Sequence, residues 1–209
     1  MAQRYFWFIE DGTVKKGIVD FKWEPGLSTT QKRRSCANML KVINEATNYG
    51  EALDISSAST EDLGVKLSAF NLKWKGKTIE CWYQGSKVYK NAGVVHHLYD
   101  ADPVTAKQYR RQLAGDIIVG FNLAGQEFPT EPRTFFYDYI YLNGLYEQFG
   151  TGLDISKYNA FTDIQSNLEI EACQARSVCE YKLLQQNGQL EFIKDSTMLQ
   201  RWHEIFVKG

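Results

Sequence analysis

Cysteine and histidine are scarce, with four of one and three of the other in 209 residues. Cys36, Cys81, Cys173 and Cys179 make no CxxC pair, and no histidines stand at zinc-ligand spacing. His96 and His97 are adjacent rather than i,i+4, the spacing of a helical metal site. Reduced, structural cysteines are therefore expected, with no metal and no cofactor. No apolar run reaches the roughly 18 residues that a membrane span needs, so no membrane role is expected. The opening MAQRYFWFIEDG lacks the basic and apolar regions of a secretory signal. A cytoplasmic location is the default. Repeats, low-complexity tracts and linkers are missing too. So is an excess of charge of one sign: 24 Lys+Arg against 25 Asp+Glu leave a net −1. That balance argues against general, nonspecific nucleic-acid binding.

What is present is a core. Hydrophobic residues make up 44% of the chain, aromatics 14% and charged residues 23%. A chain of this size buries about 70% of its unfolded surface. These proportions exclude a disordered chain, a disulfide miniprotein and a collagenous repeat, and one domain over 1–209 is expected. Basic residues cluster locally at Lys32-Arg33-Arg34, at Lys66, Lys73, Lys75 and Lys77, and at Lys107, Arg110 and Arg111. Patterning alone makes these solvated faces.

Asp11-Gly12 between apolar runs predicts a hairpin over residues 4–23. Ser28, Thr29 or Thr30 can cap a helix running to about Asn48, with Cys36, Met39, Leu40 and Ile43 at helical spacing. Residues 51–59 read as extended and 59–62 as a short helix start. Residues 67–74 read as a strand, 75–77 as a turn and 79–91 as a helix. Asp102-Pro103 opens a helix to about Ala114. Residues 116–121 read as a buried strand, and 133–148 as a central helix that is apolar most of the way round. A long polar loop is expected over 150–166, the kind of segment that is often functional. Helices over 167–187 and 196–207 close the chain. The class is α+β, mostly helical, with a small sheet and an N-terminal β-hairpin.

The most informative stretch is LSAFNLKWKGKTIECWYQGSKVYKN, residues 67–91. Seven residues turn a helix through roughly 700°, which puts Glu80, Gln84, Lys87 and Asn91 on one face. Glu80 sits in the first turn, where the helix dipole favours a carboxylate. A solvated stripe has the same pattern.

The order L-S-x-F, a K-x-x-G-K-T turn, then E-x-x-Y-Q-x-x-K resembles the NADAR family. The matching residues are Leu67, Ser68, Phe70, Gly76, Glu80, Tyr83, Gln84 and Lys87. Ala69 stands where the family has Asn, and Cys81 where it has His. Asn71 is the candidate to supply the missing amide. Tyr158 to Asp163 resembles the family's N-D-x-x-W-G segment, with Phe161 in place of the tryptophan. Asn167 to Arg176 resembles its N-x-L-G-x-x-L-M helix and keeps an arginine. The resemblance covers about residues 63–186. Ser28, Thr29, Gln31, Lys32 and Arg33 are similar to the S-T-x-Q-K-R helix of the branch found beside DarT-type DNA ADP-ribosyltransferase toxins.

That branch implies an antitoxin that cleaves the N-glycosidic bond between ADP-ribose and guanine in DNA, with single-stranded DNA the expected form. Its partners would be ADP-ribosylated DNA, ADP-ribose and a DarT-type toxin. The wider family implies phosphorylated riboflavin-pathway intermediates as substrates. A non-catalytic module that binds ADP-ribose or the toxin is a third reading, kept open by Ala69 and Cys81. In the first reading Glu80 and Lys87 are catalytic. Glu80 stabilises charge at the anomeric carbon or activates water. Lys87 positions charge or, if desolvated, attacks the ring-opened sugar as an amine. Ser28, Lys32, Arg33, Ser68, Phe70, Asn71, Tyr83, Gln84, Phe161, Asp163 and Arg176 are the expected substrate-binding residues. The helix opening at Ser28 is the expected pyrophosphate cradle. Trp74, Tyr158 and Phe161 are the expected base-stacking aromatics.

Overall fold

A computed structural model describes residues 1–26, 28–46, 50–132, 134–168 and 173–207 of the chain. The expected helix stop at Asn48-Tyr49 and positions 133 and 169–172 of two expected helices lie outside the described residues. The fold is α+β with an N-terminal β-hairpin, as the sequence predicts.

Strands β1 (Ala2–Glu10) and β2 (Thr13–Phe21) pair antiparallel over their full length. Asp11 and Gly12 both take positive φ between them, at 51° and 66°, the geometry that Asp-Gly accepts in a tight hairpin turn. Helix α1 (Thr29–Ala46) opens on a reciprocal cap. Ser28 Oγ accepts the Gln31 N–H at 3.2 Å, and Gln31 Oε1 accepts the Ser28 N–H at 3.3 Å. Strand β3 (Glu51–Asp54) and the short helix α2 (Asp62–Leu67) follow. Strands β4 (Lys73–Trp74) and β5 (Lys77–Thr78) form a small hairpin that leads into α3 (Ile79–Gly85).

Next come β6 (Lys87–Tyr89), β7 (Gly93–Val94) and a single 3₁₀ turn over His96–Asp100. Helix α4 (Pro103–Tyr109) is capped by Asp102, whose carboxylate accepts the Val104 and Thr105 N–H groups at 3.0 Å. Strands β8 (Ile118–Leu123) and β9 (Gln126–Phe128) complete a four-stranded sheet in the order β7-β6-β8-β9. Helix α5 (Phe135–Phe149), strand β10 (Tyr158–Thr162), helix α6 (Gln174–Gln186), a 3₁₀ turn at Leu190–Lys194 and helix α7 (Ser196–Phe206) finish the chain.

The first sheet runs β2-β1-β10-β3, with β10 antiparallel to β1 and parallel to β3. Strand alternation splits its side chains between two cores. Phe6, Phe8, Ala52 and Ala160 pack against Cys36, Met39 and Ile43 of α1. Trp7, Leu53 and Phe161 face the main core with α5 and α6.

Four expectations are corrected. Residues 67–74 are not one strand. Leu67 ends α2, and Ser68 to Asn71 turn, with the Asn71 side chain donating to Val65 O at 2.8 Å. Helix α3 stops at Gly85 instead of running to Asn91. Lys87, Val88 and Tyr89 pair with Phe121, Gly120 and Ile118 of β8 instead, and that ladder outweighs the local helical pattern. A Cβ at Gly85 would lie 2.4 Å from Tyr99 Cδ1, so only glycine allows this close turn. Residues 116–121 form a strand only from Ile118, and it is not buried. Ile117 and Val119 are more than half exposed, and Asp116 caps the Asn91 turn. The expected loop over 150–166 holds β10, the central strand beside β1.

Candidate active site

Helix α3 is aimed by two bonds in its first turn. Thr78 Oγ1 accepts the Cys81 N–H at 3.3 Å, and the Glu80 N–H donates to Ala69 O at 2.9 Å. Ile79 goes into the core, and Glu80, about 100° further round the helix, faces a cavity. Gln84, one turn later, donates from Nε2 to Glu80 Oε1 at 2.8 Å. Gln84 Oε1 accepts from Lys87 Nζ at 2.8 Å. An ammonium only donates, so the amide oxygen must face Lys87 and the amide nitrogen Glu80. The result is a carboxylate, an amide and an amine in one hydrogen-bonded line. Lys87 joins it from β6 rather than from the helix. Asn91 does not join it, because its side chain is tied to Asp116 at 3.1 Å.

The cavity holding this line encloses about 140 Å³. Ala69, Phe70, Tyr83, Lys107, Arg110, Tyr137, Asp163, Gln165, Ser166 and Gln174 line the rest of it. Small-molecule pockets begin at roughly 300 Å³, so this one admits a sugar-sized part of a ligand and leaves the remainder at the mouth. The Tyr83 ring lies under Lys87 Nζ, 4.3 Å from the centroid, and meets Tyr137 edge-on at 5.0 Å. Asp163 leaves the end of β10. It accepts the Gln165 N–H and Gln174 Nε2, each at 2.9 Å. Gln174 Oε1 in turn accepts the Ala69 N–H at 2.7 Å, which ties α6 to the turn before α3.

Burial sets the electrostatics. It drives the Lys87 pKa down to about 8, partly opposed by Glu80 and helped by Arg110 and Lys107. Burial and Glu80 push the Tyr83 phenol up to about 12, so it stays neutral. Burial also raises Asp163, against the hydrogen bonds from Gln165 and Gln174.

A model of DarT1-associated NADAR antitoxins matches residues 2–205. The chain belongs to the DarT1-associated NADAR antitoxin family. The match takes in the hairpin and α1, beyond the 63–186 stretch where the motif resemblance lies. No curated protein matches the chain. The membership makes this NADAR chain the antitoxin side of a pairing with a DarT1 toxin. No helix among the described residues is long and apolar enough to cross a membrane.

Within the NADAR chain, Glu80, Gln84, Lys87, Tyr83, Phe70 and Asp163 come together as expected. Other candidates do not. Ser68 is fully buried, and its Oγ accepts from Asn71 at 3.1 Å. Asn71 caps α2 rather than supplying an amide to the cavity. Phe161 is fully buried in the main core, Trp74 packs on Trp82 and Tyr139, and the Tyr158 hydroxyl donates to Glu61. None of the three is available to stack a base. Ser28 is used by the α1 cap, and neither it nor Lys32 nor Arg33 lines the cavity.

Arg176 is buried elsewhere. It pairs with Asp138 and with Glu180, the latter at 3.1 Å, and His203 Nε2 lies 3.1 Å from Asp138. Burial would raise Asp138, but Arg176 and His203 outweigh it and hold its carboxyl below the usual range. Ligating atoms of Asp138, Glu180 and His203 lie within 4.8 Å of one another, yet Arg176 already supplies their cation.

Lys107 and Arg110 were legible only as a basic cluster. Tyr137, Gln165, Ser166 and Gln174 carried no signal, since each arrives from a distant element.

Proposed function

We propose that this antitoxin is an N-glycosidase that removes ADP-ribose from guanine bases in DNA, reversing the modification made by its partner toxin. The observation that carries the reading is the Glu80–Gln84–Lys87 line inside one sugar-sized cavity. Breaking a ribose–nitrogen bond develops oxocarbenium character at the anomeric carbon, which a nearby carboxylate stabilises. Glu80 takes a proton from the attacking water as its oxygen bonds to that carbon. The carbon–nitrogen bond breaks, and the Lys87 ammonium gives its proton to the departing nitrogen. The products are a free ribose hydroxyl and an unmodified base. An acid with a pKa near 8 is mostly protonated at neutral pH and still gives up its proton readily. Gln84 separates the two charges while bonding to both, so neither is neutralised by direct contact.

Two details support catalysis over simple binding. Cys81, which replaces the family's histidine, lies in a separate small core with Tyr89 and Leu98. Its thiol donates to Ala101 O at 3.1 Å, away from the cavity. Ala69 leaves the cavity wall intact because Gln174 takes up its backbone N–H.

The test is product analysis in ¹⁸O-water. A single-stranded oligonucleotide ADP-ribosylated on guanine is one arm, and a phosphorylated riboflavin-pathway intermediate is the other. The expected products are the unmodified oligonucleotide and ADP-ribose carrying one ¹⁸O. Cleavage of the small intermediate alone would move the activity to metabolites. Binding without cleavage of either would leave a non-catalytic module.

A further inference from the structure

We propose that Lys107 and Arg110 form a phosphate subsite at the mouth of the cavity, which holds the phosphorylated end of a ribosyl substrate whose anomeric carbon lies at Glu80. This rests on the glycosidase reading and replaces the cradle at Ser28 with a different one. Lys107 stands in the last turn of α4 and Arg110 three positions on at its C-cap, and both line the cavity. Lys107 is half-buried, its ammonium held over the Phe70 ring at 5.0 Å from the centroid. Arg110 follows the last turn of α4 and is exposed.

Among the described residues no ion pair engages either side chain, although other surface lysines such as Lys15, Lys22 and Lys157 pair with carboxylates. Two cations at a mouth, neither within ion-pair distance of a carboxylate, leave that mouth positive, while the floor carries Glu80 and the wall carries Asp163, on which the Lys107 charge acts. Their fields reach inward, since both lower the Lys87 pKa. A cavity of about 140 Å³ is filled by one sugar ring. The phosphate attached to that ring must then lie at the mouth, where a guanidinium fork and an ammonium suit its oxygens.

Equilibrium binding tests this without requiring turnover. ADP-ribose, ribose 5-phosphate and an unmodified single-stranded oligonucleotide are titrated into wild type, Lys107→Gln, Arg110→Gln and Arg111→Gln. Each fold is checked by circular dichroism. Arg111 is the neighbouring exposed cation that does not line the cavity. The expected result is a tenfold or larger loss of ADP-ribose affinity in the Lys107 and Arg110 variants only, with a shallower salt dependence. Ribose 5-phosphate binding with the same losses also supports the subsite and makes a monophosphate sufficient. ADP-ribose binding alone supports it with the pyrophosphate as the group held.

Unchanged ADP-ribose affinity in both variants would overturn the proposal, as would an equal loss in Arg111→Gln. Losses confined to the oligonucleotide would also overturn it, assigning the cations to the DNA backbone. Phosphate binding that follows this pattern in a protein without glycosidase activity would refute the activity and leave the subsite standing.

Discussion

At the scale of single residues, Lys87 is the sharpest test of the chemistry. Its pKa of about 8 arises from burial on β6 and from two further cations, against the pull of Glu80. As a proton donor it must be charged, so activity falls about tenfold per pH unit above 8. Lys87→Gln loses that limb of the profile along with most of its rate. Activity that rises through pH 8, with reductive trapping of substrate on the chain, would instead make Lys87 an amine nucleophile. Arg176 belongs to a different problem. It supplies the charge that holds Asp138 ionised and also bonds Glu180, whose pKa burial and Asp138 push up to about 8, in a site with almost no solvent. Arg176→Ala leaves the buried Asp138 carboxylate without its guanidinium partner and costs about 3–5 kcal/mol in thermal or urea unfolding. A stability equal to wild type would contradict the cluster's role. Glu80 and Gln84 were readable as an i,i+4 pair on one helix, a pattern that a solvated stripe shares, and the motif resemblance singled them out together with Lys87, which reaches Gln84 from β6. Arg176 and Phe161 were misread because their partners lie far along the chain.

At the scale of elements, the site depends on the turn after β10. Asp54, at the end of β3, is fully buried, and its Oδ1 accepts the Ile164 N–H at 2.7 Å. That bond fixes the turn carrying Asp163, Gln165 and Ser166 into the cavity. Burial, and after it the charge of Asp163, push the Asp54 pKa up to about 7. The folded state therefore favours the protonated form. This contribution to stability is complete below the ordinary carboxylate range and is lost as pH rises through about 7. Asp54→Asn keeps an acceptor for Ile164 and does not titrate. The fall in Tm between about pH 5 and about pH 8 is accordingly smaller in Asp54→Asn than in wild type. An equal fall in both would remove Asp54 from the account. The α3 expectation failed at this scale: the helix-like run to Asn91 was real, but pairing with β8 takes residues 87–89. Lys87 still reaches Gln84, so the functional grouping survived an incorrect element boundary.

At the scale of the molecule, one four-stranded sheet separates two cores, and the cavity opens where β10, α3, α4 and α6 converge. The α+β class, the hairpin, α1, the central α5 and the C-terminal α7 were all legible from periodicity and caps. The central place of β10 was not, because its polar flanks read as loop and its pairing partners, β1 and β3, are remote in sequence. The measurement that tests the central claim most directly is a single-turnover assay on a guanine-ADP-ribosylated single-stranded oligonucleotide. It compares wild type with Glu80→Gln, which keeps the side chain's size and one acceptor oxygen. The account predicts clean release of the unmodified oligonucleotide by wild type and a rate lower by about 10²–10⁴-fold in the variant. Equal rates in the two proteins, or no release by wild type, would contradict it.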